Sequence, residues 1–252
     1  MTTVEIAGKP AQEPARKSEK GNLAQRLNWL RAGVLGANDG IVSVAAIVVG
    51  VAGATTAQST STAQAAALAA GAAGLIGGAI SMALGEYVSV SSQSDSQRAL
   101  VAQERKRLAD DPGREFERLK TAYLEQGISP ETAQAVAEEL TRKNALSAQL
   151  RTHYNIDEEE IVSPWHAALA SALAFTVGAI LPLLSILLFP APVRLPLTFA
   201  VVLVALAVTG AVGAWIGGAK ASRAATRVVL GGALALGATF LIGSLLGHSG
   251  IV

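Results

Sequence analysis

Two carboxylates stand where carboxylates are costly. Asp39 lies in AGVLGANDGIVSVAAIVVGVAGA and Glu86 in GGAISMALGEYVSV, both otherwise apolar, while the other seventeen acids of the chain fall in polar stretches. A charged side chain at membrane depth is destabilising by several kcal/mol unless it faces a partner or a wet cavity, so such a residue marks an ion pathway. Met82 precedes Glu86 by four residues, which on a helix places both on one face. Apart from the initiator it is the only methionine in the chain. A soft thioether beside hard carboxylates suits a borderline divalent transition ion better than Mg²⁺ or Na⁺. Asn38, Ser43 and Ser89 offer neutral oxygens nearby in sequence. The plain alternatives are a methionine used for packing and a Glu86 that reaches the headgroups.

The elements that position these residues follow from the apolar runs. Half of the chain is hydrophobic (51%) but only 4% is aromatic, the Ala-, Val-, Leu- and Gly-rich usage of membrane helices. A helix needs roughly 20 apolar residues to cross the hydrocarbon core. Five stretches reach that length: 32–54, 63–90, 165–189, 195–219 and 228–247. Counting 1.5 Å per residue, Asp39 lies about 12 Å from Arg31 and Met82 about 13 Å from Ser91, so the two share a depth. An odd number of spans puts the termini on opposite faces. Lys and Arg number six before the first span, ten between the second and third and three between the fourth and fifth, with Arg194 alone on the other side. That bias places the N-terminus and the central insert in the cytoplasm.

The insert is too long to be a simple connector. SDSQRALVAQERKRLAD reads as one helix ending at Asp110-Asp111-Pro112-Gly113, and REFERLKTAYLEQG as a second closed by Gly127. A third starts at Ser129-Pro130-Glu131, where Ser caps, Pro fits the first turn and Glu meets the positive helix end. Val136, Leu140 and Leu150 fall near one face of it and promise only a thin core. The expected organisation is a disordered tail over 1–26, spans one and two over 27–91, a three-helix cytoplasmic domain over 92–162 and spans three to five over 163–252. The pairs Gly74/Gly78, Gly213/Gly217 and Gly243/Gly247 have the small-residue spacing of close helix packing, and Pro182 interrupts the hydrogen bonding of span three.

Other classes of function lose support on the same grounds. The chain has no cysteine, hence no disulfide, thiolate zinc site or Cys-ligated cluster. It shows no nucleophile and base pair, no phosphate-binding glycine loop and no histidine cluster, and it calls for no prosthetic group. No basic patch interleaved with aromatics points to nucleic acid.

RAGVLGANDGIVSVAAIVVGV, GGAISMALGEYVSVSSQSD and SPWHAALASALAFTVGAILPLL resemble the first three helices of the vacuolar iron transporter family and its bacterial relatives, and the likeness runs from Leu27 onward. The resemblance implies an all-α, five-span membrane fold and a homodimer with the ion path on its two-fold axis. It implies export of Fe²⁺ or similar ions from the cytoplasm in exchange for protons, while a carboxylate and thioether set by itself accepts Fe²⁺, Mn²⁺, Zn²⁺ or Co²⁺. It assigns Asp39, Met82 and Glu86 to the ion path through the bilayer, and the insert to a metal-collecting domain. There the chain departs from the family pattern. Two Glu-x-x-Glu pairs of plant-like members read Glu104-Arg-Lys-Arg107 and Glu115-Phe-Glu-Arg118, and a Met pair followed by Glu reads Gln149, Leu150 and His153. Glu104, Glu115 and His153 remain as ligands, with Glu117 as a stand-in. The arginines should weaken divalent binding or replace it by internal ion pairs. The acidic run 157–160 attracts cations without coordinating them, and His166 and His248 read as interfacial.

The sequence therefore predicts a divalent metal exporter in a bacterial plasma membrane, or in a vacuolar one if the source is eukaryotic. The competing readings are a proton-coupled carrier of another solute and a scaffold in which Asp39 only hydrogen-bonds a neighbouring helix.

Overall fold

The computed structural model describes residues 13–157 and 163–249, with side chains from residue 32 onward. Its regular elements are helices: α1 (Glu13–Ala54), α2 (Thr60–Asp110), α3 (Pro112–Glu125), α4 (Pro130–Tyr154), α5 (Pro164–Leu188), α6 (Arg194–Ile216) and α7 (Ala221–His248), with a 3-10 turn at Ala191–Val193 before α6. Among the described residues there is no strand. Five helices are long and apolar enough to cross a membrane, at Ala32–Ala54 within α1, in α2, in α5, from Ala191 through α6, and in α7. The chain is an all-α, polytopic integral membrane protein.

Two boundaries differ from expectation. α1 starts at Glu13, inside the stretch 1–26 expected to be a tail, because EPARKSEKGNLAQRLNWLRAG carries Pro in its first turn and then mostly good helix formers. Residues 1–12 lie outside the described ones. α2 runs unbroken for 51 residues, so the expected separate helix at SDSQRALVAQERKRLAD is the end of span two. No Pro or Gly separates Val90 from Asp110. Polarity changes there while helix propensity does not.

The chain divides into two compact units, Leu84–Ala168 and the rest. In the larger unit α1 is the hub. One face of it joins α2 and α5 through Val44, Val48, Ala67, Phe175, Ala179 and Ile186. The other joins α6 and α7 through Ile41, Ala45, Val49, Val202, Leu206 and Leu236. In lipid there is no water to expel from between helices, so contact at van der Waals distance has to hold them together. Missing side chains make that contact possible. A Cβ on Gly40 would strike the Phe175 carbonyl and one on Gly178 the Ala37 carbonyl, while at Gly243 and Gly247 it would strike the carbonyls of Gly50 and Ala54. α1 is thus pinned backbone to backbone between α5 and α7. Pro182 lies inside α5, where it leaves one helical hydrogen bond unmade.

The smaller unit contains the polar end of α2, α3 and α4. Asp111 caps α3 by accepting from the Arg114 N–H at 2.9 Å. Gly127 takes a left-handed φ of 85° in the turn, and Ser129 caps α4 with Pro130 in its first turn. Asn144 breaks the helical geometry inside α4 (φ −167°, ψ 95°), and its side chain restarts the helix by accepting from the Ser147 N–H at 3.0 Å. The core is small: Leu119, Ala137 and Ala148, with Phe116, Tyr123 and Leu140 packed around them. Leu150 is fully buried, whereas Val136 is only half-buried.

Candidate metal-ion site

Asp39 and Met82, 43 positions apart in the chain, line one cavity of about 550 Å³ in the larger unit. α1 supplies Leu35, Asn38, Asp39 and Val42, α2 supplies Met82, and α7 supplies Val228, Gly231 and Gly232. A Cβ on Gly231 would meet nothing, so the cavity wall there is backbone with open space in front of it. Asp39 is exposed to the cavity and Met82 half-buried, its side chain packed against the cluster around Val44 and Phe175. The Asp39 carboxylate accepts from the Ser43 hydroxyl at Oδ1, 2.9 Å away and one turn along α1. Its hydrogen-bond partner is therefore on its own helix, not on a neighbour as the scaffold reading supposed. Asn38 accepts a long contact of 3.5 Å at Oδ1 from the Thr209 hydroxyl of α6.

One carboxylate, one thioether and neutral oxygens in an apolar, open cavity can hold a divalent ion only in part, because such ions take about four to six ligands. Among the described residues no three His, Cys, Asp or Glu side chains converge on one point. Glu86 lies one turn beyond Met82 on α2, half-exposed, and Ser89 is exposed on the same helix. Thr209, Val228 and the Gly231-Gly232 pair were not singled out from the sequence. Only the adjacent glycines carried a signal.

The polar residues of the smaller unit form an ion-pair network. Glu104 is fully buried and Glu115 nearly so, and one guanidinium bridges them: Arg118 donates to Glu104 Oε1 at 2.9 Å and also to Glu115 Oε2. Arg107 approaches Glu104 Oε2 at 3.4 Å and donates to the Tyr154 hydroxyl at 2.8 Å, which in turn donates to Glu104 at 3.3 Å. Arg118 also stacks over the Tyr154 ring, 5.9 Å from its centre. Burial pulls the Arg118 guanidinium down, but the hydrogen bond to Glu104 and the charges of Glu104 and Glu115 outweigh it, and its pKa is raised. A buried carboxylate requires a counter-charge, and here the protein supplies it. Glu117 is exposed and pairs with Lys120 at 2.5 Å, outside this group.

His153 sits at the edge of the network. Its Nε2 is buried without a hydrogen-bond partner. Burial lowers the imidazole pKa and the charge of Arg118 lowers it further, against the opposite pull of Glu104, Glu115 and Glu125. A neutral ring at this position keeps a lone pair. Gln149, one turn earlier on α4, donates to the Glu115 backbone carbonyl at 2.6 Å and leaves its own Oε1 buried and unpaired. Tyr154, 50 positions from Glu104, gave no sign in the sequence of joining it. Asp157 pairs with Arg151, and the other acids of the run 157–160 lie outside the described residues.

The sequence pattern of the VIT family matches residues 30–244. The chain belongs to the VIT family. It is 41% identical over 218 residues to a vacuolar iron transporter of Acanthamoeba castellanii, spanning 86% of this chain and 78% of that protein. It is 38% identical over 242 residues to vacuolar iron transporter homolog 5 of Oryza sativa, 96% of this chain and 91% of the relative. Homolog 2.1 of Arabidopsis thaliana is 33% identical over 237 residues, 94% and 90% of the two chains. VIT-family proteins are transporters and not enzymes, which agrees with the sequence-based expectation.

Proposed function

We propose that this VIT-family protein moves divalent transition-metal ions, Fe²⁺ and Mn²⁺ foremost, out of the cytoplasm in exchange for protons. The observation that carries the reading is the cavity in which Asp39, the one acid of the membrane-crossing part of α1, faces the same space as Met82. The ion is cargo, so a site that supplies few ligands from one chain suits binding that must also release. A second copy across the open side of the cavity would add another Asp39 and Met82 and bring the ligand number into the range a divalent ion takes. The relatives named vacuolar iron transporters support iron as cargo. The distribution of Lys and Arg supports a cytoplasmic N-terminus, and the Ala- and Arg-rich composition a bacterial plasma membrane.

Proton exchange follows from the ligand chemistry. A carboxylate binds metal only when ionised, so protons and metal compete for the oxygens of Asp39 and of Glu86, which follows Met82 by one turn of α2. Binding from a neutral cytoplasm displaces protons, and an acidic far side returns them and frees the metal. The test is the purified protein in liposomes with a pH-sensitive dye inside and a panel of Fe²⁺, Mn²⁺, Zn²⁺ and Co²⁺ outside. Metal entry should be accompanied by proton exit and should slow when a protonophore collapses the gradient. Metal flux at an unchanged rate with no proton counter-flow would make the protein a uniporter or channel.

A further inference from the structure

Far from Asp39 along α1, the larger unit has a second cavity of about 180 Å³, where α1 and α5 finish and α2 and α6 begin; Thr55, Gln58, Thr60, Gln64, Ile186 and Arg194 are part of its lining. Arg194 is the only Lys or Arg between Arg151 and Lys220, and no Asp or Glu occurs between Asp39 and Glu86 or after Glu160. Asp39 precedes Thr55 by about 24 Å of helix. Among the described residues no carboxylate pairs with the guanidinium at this end of the bundle. It is nevertheless half-buried and held in place, because its Nε donates to the Phe189 carbonyl at 3.1 Å.

That bond uses one of the five guanidinium N–H groups and leaves the terminal fork without a partner among the described residues. The hydroxyl of Thr55 donates to the Val51 carbonyl and the amide of Gln64 to the Ile186 carbonyl, so those donors are occupied. The Gln58 amide and the Thr60 hydroxyl make no side-chain hydrogen bond among the described residues and line the same space as Arg194. A fixed guanidinium with no carboxylate partner among the described residues and with two free neutral donors beside it repels the metal cargo and fits a phosphate, whose oxygens match the planar fork.

We propose that this cavity binds a phosphate group and that its source is a phospholipid headgroup. The ends of the spanning helices lie at the headgroup level of a bilayer. Exposed Val193 and Leu197 flank Arg194 and give the glycerol and upper acyl chains an apolar surface to lie on. Bound lipid then ties the start of α6 to the end of α5 across the short turn at Ala191–Val193.

The experiment uses the full-length protein in detergent, with bound lipid counted by native mass spectrometry. The probes are phosphatidylglycerol, a diacylglycerol with the same acyl chains and inorganic phosphate. Phosphatidylglycerol should bind the unaltered protein, with affinity about tenfold weaker in Arg194→Gln and less strongly reduced in Gln58→Leu, while diacylglycerol binds weakly to all three. If Arg194→Gln does not fold, Arg194→Lys keeps the charge without the fork and should show an intermediate affinity. Displacement of phosphatidylglycerol by millimolar phosphate with no help from acyl chains would keep the phosphate site and assign it to the free anion. Equal lipid affinity in the unaltered protein and both Arg194 and Gln58 variants, or diacylglycerol binding as tightly as phosphatidylglycerol, overturns the proposal.

Discussion

The hydroxyl of Ser43 donates to Oδ1 of Asp39 at 2.9 Å, one turn further along α1. The bond fixes the carboxylate against its own helix and leaves Oδ2 without a hydrogen-bond partner among the described residues, the arrangement of a ligand held by an outer partner. Outer partners of this type typically contribute about 10- to 100-fold in metal affinity. Asp39→Asn, which keeps size and removes charge, should abolish metal transport by folded protein. Ser43→Ala should raise the concentration for half-maximal uptake about tenfold while leaving the maximal rate within a few-fold. Liposome uptake curves for the two variants check this, and normal flux through Asp39→Asn would remove the residue from the pathway.

Met82 packs against the cluster around Phe175 on one side and faces the cavity on the other. Met82→Leu nearly conserves volume, so its packing cost should stay below about 1.5 kcal/mol. The lost sulfur matters more to Fe²⁺ than to harder Mn²⁺. The expected result is a fall in the ratio of Fe²⁺ to Mn²⁺ uptake measured in competition. An unchanged ratio would reduce Met82 to a packing residue.

The spans and the acid at membrane depth were legible in the sequence because an apolar run of spanning length and a charge inside it are both local signals. Span two was placed but its end was not. The change from VSVS to SQSDSQR alters solvent preference without breaking a helix, and α2 continues through it. Glycine spacing found Gly243 and Gly247, which do meet α1, yet Gly217 faces only its own helix. Gly40 and Gly178 seat α1 on α5, and Gly36, four residues before Gly40, meets α5 as well, a pair of the same spacing that was not singled out from the sequence. A single sequence shows which backbone is bare, but not which helix will lie against it. The same limit applies to the polar network. Arg107 and Arg118 announced internal pairing by their spacing from Glu104 and Glu115, whereas Tyr154 enters it only through the fold.

Burial and the charge of Arg118 hold the His153 pKa below its ordinary value of about 6.5. The unfolded chain then takes up a proton before the folded one does. The contribution of His153 to stability is present above about pH 6.5 and is lost as pH falls toward the lowered folded value. His153→Phe removes the titration and keeps a ring of comparable shape. Thermal unfolding of the full-length protein at pH 7.5 and pH 5.5 should show a smaller acid-induced drop in Tm for the variant. An equal drop in both proteins would mean that other groups carry the acid sensitivity.

Arg118 is the cation that the two buried carboxylates share, with Glu104 and Glu115 side chains 0% and 7% exposed and the arginine itself 28% exposed. Removing one member of such a group leaves uncompensated buried charge, typically destabilising by about 3–5 kcal/mol. Arg118→Ala should therefore lower the Tm of metal-free protein. It should also create a demand for another cation where the guanidinium was, beside the unpaired lone pair of His153. Mn²⁺ or Fe²⁺ binds the folded variant but has little to hold in the unfolded one, so it should raise the variant's Tm, by about 2.7 kcal/mol of stability at a hundredfold excess over Kd. The unaltered protein, whose carboxylates are already paired, should respond to the same ion much less. Arg118→Lys, which restores a positive charge as a single point, should recover part of the metal-free stability and lose the metal response. Adding the ion to all three proteins at one pH compares them directly. If Mn²⁺ shifts the unaltered protein and Arg118→Ala equally, the arginine is not standing in for a metal ion, and the smaller unit binds divalent ions elsewhere.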